Sequence, residues 1–91
     1  MKFIGYKIYF WANENNEPIH VHVSKGTPMI NSTKIWLTKA GSCIVANNKS
    51  KIPNNDLNKL LDIISKHYFL IVAKWKEYYK IDDMKDIKFY C

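Results

Sequence analysis

The sequence predicts an α+β domain: an antiparallel sheet of three to four strands followed by two helices packed on one face. Three observations predict it. Apolar and polar residues alternate strictly through the first half of the chain, the period of half-buried strands. Short polar turns separate the alternating runs, so consecutive strands pair as an antiparallel meander. From about residue 54 the apolar spacing becomes helical.

The first run spans about Phe3 to Ala12. Within it, Tyr6, Ile8 and Phe10 share one face, and Lys7, Tyr9 and Trp11 share the other. Asn13-Glu14-Asn15-Asn16-Glu17-Pro18 is a polar turn, since asparagine and proline favour turn geometry. The second strand, Ile19 to Lys25, contains Ile19-His20-Val21-His22-Val23, with aliphatics on one face and both histidines on the other. Gly26-Thr27-Pro28 closes it. The third strand covers about Ser32 to Thr38, with Ile35 and Leu37 opposite Lys34, Trp36 and Thr38. After Lys39-Ala40-Gly41-Ser42, Cys43 to Ala46 forms a short fourth strand.

Pro53, Asn54 and Asn55 precede the helical region, and asparagine is a good N-cap. Leu57, Leu60, Leu61 and Ile64 mark one face; Tyr68, Ile71, Val72, Trp75 and Tyr79 continue it. A single helix from Asn55 to Tyr79 would span roughly 37 Å, long for so small a domain. A break near Ser65–His67 is therefore favoured; an unbroken helix offering a second apolar face to a partner is the alternative. Trp75, Tyr78 and Tyr79 read as core and helix-end packing. The polar stretch from Ile81 to Asp86 leads to Ile87-Lys88-Phe89-Tyr90, a late strand or a docked tail.

Ninety-one residues fit one domain (1–91), with strands over about 3–46, helices over about 54–80 and a tail over 81–91. The hydrophobic fraction of 47% and the aromatic fraction of 14% argue against disorder. No apolar run approaches the ~18 residues of a membrane span, and the N-terminal residues enter a strand pattern without signal-peptide architecture. A cytoplasmic location with two free thiols, Cys43 and Cys91, is the expectation.

The net charge of +6 favours acidic partners, nucleic acid or an acidic protein. All fourteen basic residues are lysines. Lysine neutralises phosphate as a point charge, whereas base-specific readout draws on the planar fork of arginine. General nucleic-acid affinity therefore fits this composition better than sequence-specific recognition; a lysine-rich coding bias accounts for it equally well.

If the strands pair in one sheet, the face away from the helices collects His20, His22, Lys7, Lys34, Tyr9, Trp11 and Trp36. Tyr9, Trp11 and Trp36 would form a stacking platform for unpaired bases, and Lys7, Lys25 and Lys34 would meet phosphates. His20 and His22, with Cα atoms roughly 7 Å apart, have the chemistry of an acid–base pair for metal-independent RNA cleavage. Lys7 or Lys34 would stabilise the developing charge. No cofactor is called for. A metal site would need a third ligand beside the two histidines, from Glu14, Glu17 or His67, and no nearby acid has a compelling spacing. Three plainer readings stand beside these. The histidines are ordinary surface residues; the exposed aromatics are the centre of a protein interface; or residues 87–90 fold over Trp11 and Trp36 and close a second core layer.

The stretch from Phe10 through Pro18-Ile19-His20-Val21-His22-Val23 resembles the N-terminal motif of small bacterial proteins known as domain of unknown function 4160. Lys34-Ile35-Trp36-Leu37 is similar to that family's third-strand motif, and Trp75-Lys76-Glu77-Tyr78-Tyr79 to its closing helix. The resemblance covers about Phe3 to Tyr79. Ile19 stands where the family commonly has a second proline, His67 where it has an asparagine, and the tail after Lys80 has no counterpart. The resemblance implies a small cytosolic protein often encoded beside a second small protein, as in a toxin–antitoxin pair whose basic member is the toxin. It carries over no catalytic residue. The paired histidines are its mark, and their role rests on chemistry alone.

Overall fold

The structure is a computed structural model that describes residues 1–11, 16–27 and 30–90. Five antiparallel strands form one sheet in chain order: β1 (Lys2–Phe3), β2 (Tyr6–Tyr9), β3 (His20–Lys25), β4 (Thr33–Leu37) and β5 (Cys43–Asn48). Two helices follow, α1 (Asn54–Lys66) and α2 (Tyr68–Tyr78), and a single 3-10 turn covers Met84–Asp86. The α+β architecture expected from the alternating runs is therefore present, with one strand more than the three to four predicted.

The extra strand comes from a turn inside the first run. Phe3 pairs with Tyr6, which leaves Ile4 and Gly5 as a two-residue hairpin loop. Their φ angles of 43° and 84° are the pair of positive values that the favoured tight hairpin turn requires. Glycine takes that conformation freely, whereas an isoleucine in it is strained.

The alternation maps directly onto the layers. Tyr6, Ile8, Val21, Val23, Ile35 and Leu37 are buried against Leu60, Ile64, Ile71, Val72 and Trp75 of the helices. The register places Tyr9 opposite His22, His22 opposite Lys34, and His20 opposite Trp36, so these residues share the other face. A bulge between Lys34 and Ile35 skips Ala46, which shifts Asn47 opposite Lys34.

The helical region breaks at His67, within the Ser65–His67 stretch that the length argument favours. His67 has φ −105° and ψ 20°, its amide reaches the carbonyls of Ile63 and Ile64, and its Nδ1 lies 2.8 Å from the Ile63 carbonyl oxygen. Pro53 stands at the N-cap and no side chain caps α1, so neither asparagine serves as the cap; both lie in the first turn. Trp75 is in the core, but Tyr78 is half exposed and Phe69 is 82% exposed. Tyr68 anchors α2 to the sheet by donating to the Thr38 carbonyl at 2.5 Å.

The tail is docked. Ile87 is buried, the Ile19 amide donates to the Lys88 carbonyl at 2.7 Å, and the Tyr90 amide donates to the Leu37 carbonyl at 3.1 Å. Among the described residues no helix is long and apolar enough to cross a membrane. Cys43 is a free thiol that burial pushes above the ordinary cysteine pKa; Cys91 lies outside the described residues.

Candidate functional site

The face opposite the helices is an aromatic row. Trp11 meets Tyr9 at 5.4 Å and His22 at 5.9 Å between ring centroids. Tyr9 stacks on His22 at 5.8 Å, His22 meets His20 edge-on at 5.1 Å, and His20 meets Trp36 at 5.4 Å. Trp36 finally stacks on Tyr90 at 5.1 Å with an interplanar angle of 1°. Strand alternation delivers most of these rings, and the docked tail delivers the last.

The sequence places both imidazoles on an open face, and the structure corrects that expectation. His20 is 1% exposed and His22 6%. His20 is not clear of the helical layer either, because Trp75 of α2 lies 5.3 Å from its ring. The reason is the size of the neighbours: the four aromatic side chains Tyr9, Trp11, Trp36 and Trp75 leave the smaller imidazoles sealed between them. Both rings are also tied by hydrogen bonds. The Nδ1 of His20 is 2.8 Å from the Pro18 carbonyl oxygen, and that of His22 is 2.9 Å from the Ser32 hydroxyl.

The lysines are divided. Lys7 is exposed on the aromatic face, opposite Ser24. Lys34 is half-buried, pairs with the Glu17 carboxylate, and holds its Nζ 4.3 Å from the Trp36 ring centroid. Lys25 does not join them. It follows Val23 by two residues and therefore points to the opposite side, beside Tyr6, Lys51 and Asp56. The tail covers Trp36 through Tyr90, as the second-core-layer reading expects for that residue, while the ring neighbours of Trp11 are Tyr9 and His22.

Next to His22 a groove of about 530 Å³ opens between Trp11, Ile30, Ser32, Lys34, Asn47 and Lys49. Four of these residues are absent from the sequence-based site. Ser32 was within reach of sequence reasoning, since it precedes Lys34 and Trp36 at the same period of two. Ile30, Asn47 and Lys49 were not, because loop placement and the bulge bring them in. No group of three His, Cys, Asp or Glu side chains among the described residues is arranged to hold a metal ion. Glu17 is engaged by Lys34, His67 lies at the helix junction beside Phe3, and Glu14 lies outside the described residues.

Fold and face together define a small α+β domain with a histidine–aromatic sheet surface. A family model described as Domain of unknown function (DUF4160) matches residues 5–76, and the chain belongs to that family. No curated protein and no solved structure matches the chain.

Proposed function

We propose that this protein is the toxin-like member of a toxin–antitoxin pair, acting in the cytoplasm and inhibiting growth by binding RNA at the aromatic sheet face. The observation that carries the reading is the groove beside His22, where an indole, two ammonium groups and an asparagine amide meet in a protein of net charge +6. Such a surface suits unpaired RNA, with base stacking on Trp11 and phosphate contacts from Lys34 and Lys49. Lys7 extends the positive surface along the same face. The burial of His20 and His22 favours binding over cleavage, because acid–base catalysis needs both imidazoles within reach of the reacting phosphate. In this reading the histidines build the face.

A second reading keeps the same surface for an acidic, antitoxin-like protein. Ile30 favours it: an aliphatic side chain 90% exposed at the groove mouth suits a protein interface better than a base. Induced expression in a bacterial host, with crosslinking to RNA and sequencing of RNA ends, separates the readings. Growth arrest with intact RNA crosslinked to the protein supports binding. New, localised RNA ends that vanish with His20→Ala and His22→Ala, in variants that circular dichroism shows to be folded, would restore cleavage. Growth arrest without crosslinked RNA favours a protein target, and normal growth removes the toxin reading.

A further inference from the structure

We infer that the Trp36 ring is a stacking subsite for a planar, negatively charged ligand, a nucleotide base with its phosphate, and that Tyr90 of this chain fills it when no ligand is bound. The inference rests on the RNA-binding reading above and assigns one subsite within it. Tyr90 lies on Trp36 with ring centroids 5.1 Å apart and planes only 1° from parallel. That is the arrangement a base adopts on an aromatic platform. Elsewhere in the row Tyr9 stacks on His22 at 24° and the other contacts are edge-on, both arrangements that packed aromatic side chains adopt.

A cation lies against the same ring. The Lys34 ammonium is 4.3 Å from the Trp36 ring centroid and also borders the groove that holds Trp11 and Lys49. A strand lying in that groove would therefore pass Lys34 on its way to Trp36, with phosphate displacing the Glu17 carboxylate from the ammonium.

The tail is built to let one ring go. Its anchors lie upstream: Ile87 is buried, Lys88 accepts from the Ile19 amide, and Phe89 lies 6.3 Å from Tyr68. Tyr90 adds a parallel bridge to Thr38, in which its amide donates to the Leu37 carbonyl at 3.1 Å, and its ring on Trp36. Releasing that ring leaves the anchors in place. The family match ends at residue 76, so Trp36 lies within it and Tyr90 beyond it.

The test is binding of a fluorescent single-stranded oligouridine to the full chain and to Tyr90→Ala, Tyr90→Leu and Tyr90→Phe, with an abasic phosphodiester oligomer as second probe. Removing the competing ring should tighten oligouridine binding roughly fivefold to tenfold in Tyr90→Ala and Tyr90→Leu. Tyr90→Phe should match the wild type. The gain should be absent with the abasic oligomer and in the Tyr90→Ala/Trp36→Ala double variant. Tyr90→Leu removes the stacked ring and keeps an apolar side chain on the tail, so it answers the question if Tyr90→Ala unfolds. Unchanged or weaker oligouridine binding in Tyr90→Ala and Tyr90→Leu, with the wild type binding normally, overturns the subsite and leaves the RNA reading standing. Absence of binding by every form overturns both.

Discussion

At the scale of single residues, the outcome turns on where the two imidazoles went. Alternation correctly put His20 and His22 on the face opposite Val21 and Val23, but it carries no information on what lies above them. Tyr9, Trp11, Trp36 and Trp75 surround the rings and make them packing elements. Substitution should therefore cost stability. His22→Ala leaves the Ser32 hydroxyl without its 2.9 Å partner and opens a void beside Tyr9. We expect a loss of about 1–3 kcal/mol, a fall in melting temperature of roughly 5–15 °C for a chain this small. Thermal denaturation followed by circular dichroism checks it; an unchanged melting temperature would show that the ring contributes nothing to packing. Growth assays with histidine variants therefore need a stability control, because loss of toxicity alone does not report on catalysis.

At the scale of elements, the first hairpin and the buried tyrosines yield separate expectations. Ile4 occupies a positive-φ turn position at 43°, a conformation that costs a branched residue on the order of 1 kcal/mol. Ile4→Asn relieves that cost, since asparagine tolerates the left-handed region, and should raise the melting temperature by a few degrees. Gly5 was the legible turn signal here; the apolar neighbours on both sides made the segment read as one strand.

The second expectation concerns alkaline pH. Burial, with the Asp56 hydrogen bond and charge added to it, raises the Tyr6 pKa above its usual value near 10, and burial alone raises that of Tyr68. Each hydroxyl thus holds its proton more tightly folded than unfolded. The stability this contributes is complete below pH 10 and is lost as pH rises through the folded-state values. Urea denaturation between pH 8 and 11 should show stability falling above 10, and Tyr6→Phe with Tyr68→Phe should flatten the decline.

At the scale of the whole molecule, charge and layering act together. One sheet face is closed by α1 and α2 with aliphatic side chains; the other is closed by its own aromatics and the tail. What remains accessible on that second face is a lysine-flanked groove. In the RNA-binding reading proposed above, affinity at that groove should weaken with salt. Neutralisation of three phosphates by Lys7, Lys34 and Lys49 gives a slope of log K against log salt near −2 for a single strand. Titrations between 50 and 200 mM salt measure it, and Lys49→Ala should reduce the slope by about 0.7 without changing the fold. A slope near zero would remove the phosphate contacts.

The sequence alone pointed to the antiparallel sheet, two helices with a break near Ser65–His67, and the partition of residues between faces. These follow from local periodicity and length, which are properties of neighbouring residues. Tertiary structure decided that the histidines are buried, that Asn47 faces Lys34, and that Tyr90 lies on Trp36. Each depends on contacts between segments distant in the chain, a bulge, a docked tail, a helix end reaching past the sheet, and period-two spacing says which way a side chain points but not what it meets there.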